Sequence, residues 1–166
     1  MDASFVEVPR QRNKREDNAT LKSGEVPDSI KANPKKMAQK DTDARWTKKN
    51  NENYYGYKNH IKIDAKSKII TKYTVTDASV HDSQTIDQLL DASKDKGQDF
   101  HADSAYTGEE QDKVIAKHEM HNKVSQKGYR NRPLTAEQES SNTKKSRIRS
   151  RVEHIFGFME NSMNGM

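Results

Sequence analysis

Three acidic residues stand out by where they fall in the chain. Asp2 opens a short run of β-branched and aromatic residues, Asp103 directly follows another such run, and Glu153 lies in an amphipathic segment near the end. Carboxylates gathered from separate elements suit hard Mg²⁺ or Mn²⁺ ions, which prefer oxygen ligands and support in-line phosphoryl displacement. The chain has 25 acids, so many other triples exist, and a solvated carboxylate is the commoner role for each.

The segment carrying Glu153 has the spacing of a one-sided helix. We expect this helix to begin between Ser141 and Lys144. Its apolar stripe is formed by Ile148, Val152, Ile155, Met159 and Met163. Glu153 borders the stripe four residues after Arg149, so a helix places both side chains on one face and lets the arginine orient the carboxylate.

Positive charge is concentrated in residues 123–151. Nine Lys and Arg stand there against two acids, a net of +7, whereas the whole chain carries +5. Such a concentration favours a polyanionic partner, although a solvated basic face without a partner is a common alternative. The candidate phosphate contacts are Lys127, Arg130, Arg132, Lys144, Lys145, Arg147 and Arg151.

Composition excludes several other classes of site. The chain has no cysteine, which rules out disulfides and cysteine-type zinc sites, and its six histidines show no recognised zinc spacing. No apolar run reaches the length of a membrane span, and the first residues do not resemble a signal peptide. We therefore expect a soluble cytoplasmic protein that forms one domain at most, with a small sheet covered by amphipathic helices.

The first half of the chain predicts two strand-forming regions separated by a long irregular stretch. A short strand covers residues 2–8, and residues 9–53 are expected to be a loop or insertion rich in polar residues, Gly and Pro. From Tyr54 to Val75 the alternation predicts a hairpin. One face carries the apolar side chains of Tyr55, Tyr57, Ile61, Ile63, Ile69, Tyr73 and Val75.

The second half predicts alternating helices and strands. A helix carries Ile86 and Leu89, a brief strand leads into Asp103, and residues 107–110 match the capping-box pattern that opens another helix. An edge strand at residues 121–124 precedes the basic loop and the terminal helix. This order predicts an α/β protein with a mixed sheet flanked by helices. The alternative is a disordered basic chain, and the strict alternation from Tyr55 to Val75 argues against it.

Five short motifs occur in a fixed order along the chain. They are Asp-Ala-Ser (2–4), Tyr-Gly-Tyr-Lys-Asn-His (55–60), Val-Thr-Asp-Ala-Ser-Val-His-Asp (75–82), Ala-Asp-Ser-Ala-Tyr-Thr-Gly (102–108) and Arg-x-x-x-Glu (149–153). In this order the chain resembles the DDE transposases of the bacterial insertion sequence five group, within the insertion sequence four type. The resemblance covers nearly the whole chain.

The resemblance implies an RNase H-like catalytic core. Asp2, Asp103 and Glu153 match the family's metal triad, with Mg²⁺ or Mn²⁺ as cofactor, and Arg149 matches the arginine of its terminal motif. The implied activity is cleavage and strand transfer at insertion-sequence ends. The implied partners are double-stranded DNA, as transposon ends and target, and a second copy in a homodimeric synaptic complex. No membrane partner is implied, and the implied location is the bacterial cytoplasm, associated with the nucleoid.

The chain also departs from the family pattern. Ser146 stands where the family has tyrosine, and Glu160 where it has lysine. Asp43, in Asp-Ala-Arg-Trp, is a rival for the first acid but falls in the expected loop. We expect residues 1–166 to be one catalytic domain truncated at both ends. The alternative function is therefore a non-catalytic DNA-binding remnant of a transposase.

Overall fold

The computed structural model describes residues 1–163. The described strands are β1 (Asp2–Glu7), β2 (Arg45–Lys49), β3 (Glu52–Ile63), β4 (Ile70–Asp77), β5 (Asp99–Phe100) and β6 (His121–Asn122). The α-helices are α1 (Arg15–Lys22), α2 (Asp28–Lys31), α3 (Pro34–Gln39), α4 (Ile86–Leu89), α5 (Glu109–Lys117) and α6 (Ala136–Ser162). This is the expected mixed α/β composition.

The chain divides into two compact units. The first consists of Met1–Ser4, Asn59–Val75 and His81–Met166, and the second of Phe5–Lys58 and Thr76–Val80. All three acids of the predicted triad belong to the first unit. Within residues 1–163, no helix combines the length and apolarity needed to cross a membrane.

The main sheet has four strands in the order β1-β3-β2, with β4 pairing to β3. β2 and β3 pair antiparallel, from Arg45 opposite Gly56 to Lys49 opposite Glu52. Asn50 and Asn51 join them with positive φ angles of 50° and 71°. Such angles are typical of the tight hairpin turns that asparagine tolerates.

The second sheet is formed by β5 and β6, which pair parallel with Asp99 opposite His121. Parallel strands need a crossover connection, and α5 supplies it here. The core of the first unit lies around these elements and includes Leu89, Phe100 and Ile115, each at most 3% exposed. β5 ends at Phe100, and Ala102, which also belongs to this core, immediately precedes Asp103.

Helix α6 begins earlier than its apolar spacing predicts. Thr135 and Gln138 form a capping box, in which the Thr135 hydroxyl accepts from the Gln138 amide and the Gln138 side chain accepts from the Thr135 amide. The helix therefore starts at Ala136, not between Ser141 and Lys144. The predicted capping box at residues 107–110 is absent, because Gly108 is the N-cap of α5 and makes no side-chain hydrogen bond.

One side of α6 packs on the strand that carries Ile61. Val152 and Phe156 form a buried cluster with Ile61, and Ile155 and Met159 pack against it. Most of the predicted stripe is thus correct. Phe156 was missed, and Met163, which follows the last residue of the helix, is exposed instead.

The expected loop over residues 9–53 was wrong for much of its length. It contains α1, α2, α3 and β2. Leu21 and Ile30 are buried, so isolated apolar residues anchor short helices that have no sustained period. Asn33 caps α3 by accepting from the Lys36 amide, and Pro34 occupies the first helical position.

The predicted hairpin is present, but its apolar face is only partly buried. Ile69, Tyr73 and Val75 are 64%, 70% and 56% exposed. Conversely, residues 58–61 of β3 are all buried, so both faces of the strand are covered there. Alternation shows which side chains share a face of a sheet, whereas coverage of that face depends on elements distant in sequence.

Candidate active site

Asp2 lies at the start of β1 and is largely withdrawn from solvent. Its side chain is 17% exposed. Oδ1 accepts from the Ala3 amide at 2.9 Å, and Oδ2 accepts from Arg149 Nη1 at 3.1 Å. Burial raises the pKa of Asp2, and the negative charge of Asp103 adds to the rise, while the Ala3 amide and Arg149 oppose it. Asp103 therefore contributes a like charge to the electrostatic surroundings of Asp2.

Arg149 connects Asp2 to the third predicted acid. Its Nη2 atom lies 2.9 Å from Glu153 Oε1, one turn along α6, so the pair predicted from the i,i+4 spacing is present. Arg149 Nη1 forms the ion pair with Asp2. One guanidinium thus spans a strand and a helix through two different nitrogens, and this fork geometry is specific to arginine.

Asp103 begins the turn that lies after β5 and caps it. Its side chain accepts from the Ala105 amide at 2.8 Å, and its carbonyl accepts from the Tyr106 amide at 3.2 Å. Tyr106 is 1% exposed, and burial raises the pKa of its hydroxyl, with the charges of Asp82, Asp2 and Asp103 adding to the effect. The buried Tyr106 side chain thus anchors the end of the turn that Asp103 begins.

The three predicted acids offer the kind of ligand atom that a hard divalent cation prefers. Asp2, Asp103 and Glu153 offer carboxylate oxygens alone, and the charges of Asp2 and Asp103 interact. Among residues 1–163, no group of three acids or histidines already stands at metal-binding spacing. The positive charge between Asp2 and Glu153 is that of Arg149. In the described residues, Asp2, Asp103 and Glu153 therefore offer suitable ligand atoms but do not form a metal site as they stand.

A polar groove of about 710 Å³ opens beside Asp103. Hydroxyl and amide side chains line it, together with Arg147 and Arg149. The Gln126 amide donates to Asn142 Oδ1, and Asn142 Nδ2 donates to the Gln126 carbonyl, both at 2.9 Å, so one wall is held by a reciprocal pair. Ser146, which replaces the family's tyrosine, also lines this groove. Sequence reasoning missed Asn142 and Gln126, since neither lies in a recognisable motif.

The predicted phosphate contacts fall into two groups. Lys127, Arg130, Arg132, Lys144 and Arg147 are exposed. Lys145 donates to the Val124 carbonyl at 2.8 Å, and Arg151 donates to the Ala65 carbonyl. These last two cations already have partners within the first unit. A role in DNA binding stays a prediction for both groups.

Glu160, a departure from the family pattern, and Asp43, the rival first acid, also have definite positions. Glu160, at the position of the expected lysine, accepts from the Ser4 hydroxyl at 3.2 Å and so connects the end of α6 to β1. Asp43, the rival first acid, lies in the bend before β2 and belongs to the second unit. Its carboxylate therefore stands outside the unit that contains Asp103 and Glu153.

Comparisons with known proteins identify the family of the chain. A transposase for the insertion sequence element IS1106 of Neisseria meningitidis serogroup B is 36% identical over 118 residues, covering 71% of this chain and 40% of that protein. The chain thus aligns with less than half of the length of this relative. No solved structure matches the chain significantly. A family model described as a transposase DDE domain matches residues 1–166. With that match over its whole length, the chain belongs to the transposase DDE domain family.

Proposed function

We propose that the chain is the catalytic core of a transposase that cleaves DNA at insertion-sequence ends and transfers the strand to a target. The observation that supports this most directly is the meeting of Asp2, Arg149 and Glu153, because it brings a strand acid and a helix acid to one guanidinium. The charge of Asp103 acts on Asp2 in the same region. We further propose that the fold is RNase H-like.

In this proposal the three carboxylates hold Mg²⁺ or Mn²⁺, which when bound would activate a hydroxyl and stabilise the leaving oxygen. The protein's own contribution is positional. Asp103 is held by its turn and Asp2 by the Ala3 amide, and Arg149 keeps Asp2 and Glu153 together at one guanidinium. Raised pKa values near paired acids are common at catalytic sites, and Asp2 shows such a shift.

The groove beside Asp103 provides a path for a DNA strand. Arg147 and Arg149 line it, and hydroxyl and amide groups can donate to phosphate oxygens without adding negative charge. The exposed cations Lys127, Arg130, Arg132 and Lys144 would extend this contact along the duplex. Such binding should weaken steeply with salt. The proposal also includes a homodimer in the synaptic complex and a nucleoid location. These two points rest on the family alone.

The test is Asp103→Asn, which removes a metal-ligating charge but keeps an oxygen that can accept from the Ala105 amide. We expect the variant to lose Mg²⁺-dependent strand cleavage on DNA carrying an insertion-sequence end, while DNA binding in an anisotropy assay is unchanged. Asp87→Asn is the matched control, because Asp87 pairs with Lys117 and His118 instead. Cleavage retained by the Asp103 variant would contradict the proposal. Binding without cleavage by the unmodified chain, with no thermal stabilisation by Mn²⁺, would favour the non-catalytic remnant.

A further inference from the structure

We infer that Arg149 is an internal cation that competes with the divalent metal for Asp2 and Glu153. In this view the guanidinium holds the two carboxylates together in the metal-free protein and must release at least one of them before both can act as ligands. The inference rests on the proposed function, and it assigns Arg149 a role that opposes metal binding instead of assisting it.

The first support is the geometry of the bridge. Arg149 Nη1 is 3.1 Å from Asp2 Oδ2, and Nη2 is 2.9 Å from Glu153 Oε1. Both carboxylates therefore direct an oxygen toward the arginine. A guanidinium has five donors and stays charged at any ordinary pH, so the interaction cannot be removed by deprotonation.

The second support is the unequal exposure of the two acids. Asp2 is 17% exposed and Arg149 is 23% exposed, whereas Glu153 is 51% exposed. A carboxylate that is largely withdrawn from solvent needs a positive partner, and Arg149 is the partner of Asp2. Arg149 thus stabilises the charge of Asp2 while Glu153, on the solvent side, is the easier partner to release.

The third support is that Arg149 has space to move. It lines the groove of about 710 Å³ beside Asp103 and also borders a second cavity of about 390 Å³ on the Ile63 and Val152 side. The groove contains Ser146, Ser150 and Arg147, so a released guanidinium would meet hydroxyl groups there. On that side it would also be placed to meet a phosphate. A bound metal would repel Arg149 from the carboxylates, and a phosphate in the groove would attract it.

Assistance and competition by Arg149 predict opposite changes in metal affinity when Arg149 is removed. If Arg149 only orients Glu153 for a metal, then removing it should weaken metal binding, because the carboxylate loses its fixed position. If Arg149 competes, then removing its charge should strengthen metal binding. A unit positive charge about 6 Å from a divalent cation in a water-like dielectric costs about a tenfold change in affinity.

The experiment measures Mn²⁺ affinity of the full chain by isothermal titration calorimetry, without DNA. We expect Arg149→Gln to bind Mn²⁺ about tenfold more tightly than the unmodified chain and to gain more thermal stability from it. Arg147→Gln is the matched control, since it removes the same charge from an exposed position on the same helix. Its affinity should stay within about twofold of the unmodified chain, because solvent screens an exposed charge.

Equal or weaker Mn²⁺ binding by Arg149→Gln would overturn the inference, and Mn²⁺ binding by the unmodified chain would still leave the proposed function standing. Absence of Mn²⁺ binding in both proteins would overturn the proposed function and the inference together. If Arg149→Gln fails to fold, Arg149→Lys decides, because one ammonium cannot span both carboxylates as two nitrogens do. The lysine variant should bind Mn²⁺ more tightly than the unmodified chain, because its single ammonium pairs with only one of the two carboxylates. An unchanged affinity would count against competition.

Discussion

Arg149 on α6 donates to Asp2 on β1, with 3.1 Å between Nη1 and Oδ2, although 147 positions separate the two residues in sequence. The same guanidinium reaches Glu153 on its own helix. The contact therefore links the beginning of the described chain to its last helix through charged groups. The contribution of the candidate site to the free energy of unfolding can be tested at this contact.

The two ion pairs of Arg149 should differ in strength. A double-mutant cycle with Asp2→Asn and Arg149→Gln should give a coupling of about 1–2 kcal/mol in the free energy of unfolding, because both partners are largely shielded from water. The cycle with Glu153→Gln should give about 0.5 kcal/mol or less, as for an ordinary solvent-exposed i,i+4 pair. Urea denaturation measures both. Equal couplings would show that Asp2 gains nothing from its shielded position.

Gly56 on β3 should not tolerate a side chain. Its φ angle is 145°, in the region that favours glycine, and a Cβ atom there would clash with the Val6 carbonyl of β1. Gly56→Ala should lower the free energy of unfolding by about 2–4 kcal/mol. Gly157→Ala is the control, because no atom lies within 4 Å of its added Cβ. This α6 variant should instead stabilise by about 0.5–1 kcal/mol, and a loss of stability there would contradict the open space around Gly157.

The two groups of basic residues should respond differently in DNA binding. Arg147→Gln should reduce the slope of log affinity against log salt by about 1, because an exposed phosphate contact is lost. Lys145→Gln should change that slope little and should mainly lower stability, since its ammonium donates to the Val124 carbonyl. Fluorescence anisotropy with a labelled duplex at several NaCl concentrations measures the slopes. A full unit of slope lost in the Lys145 variant would instead assign that residue to the phosphate-binding group.

Asp41 should make the stability of the second unit sensitive to acid. Burial opposes the charge of this carboxyl, but hydrogen bonds from the Tyr57 hydroxyl and from the Ala44 and Asp43 amides outweigh it and lower the pKa of Asp41. The stabilisation is therefore fully present above the ordinary carboxyl pKa of about 4 and is lost as pH falls through the lower folded value. Thermal melts between neutral and acidic pH should show this loss.

The variant Asp41→Asn should flatten that acid dependence and be less stable at neutral pH. Tyr57→Phe should shift the decline toward higher pH, because it removes the hydroxyl that donates to Asp41 at 2.7 Å. A decline with the same midpoint in the unmodified chain and in Tyr57→Phe would show that this hydrogen bond does not set the pKa of Asp41.

Local patterns were enough to predict several features of the chain. The alternation around Tyr55 and Ile61 predicts β3, and the 3.6-residue spacing predicts much of α6. The helix expected near Ile115 is present as α5, although its predicted capping box is absent. The Arg149–Glu153 pair is a property of one helix turn, so the sequence alone determines it once the helix forms. The family could likewise be named from short motifs, and the match over residues 1–166 confirms it.

Tertiary structure decided what depends on distant neighbours. Alternation could not show that Tyr73 and Val75 are exposed or that Lys58 and His60 are buried, since burial depends on which elements cover a face of the sheet. Nor could spacing show that Asp2 shares a guanidinium with Glu153. The sequence therefore determines which residue types the candidate site contains. The contact between Asp2 and Arg149, which are 147 positions apart, depends on how a strand and a helix pack together.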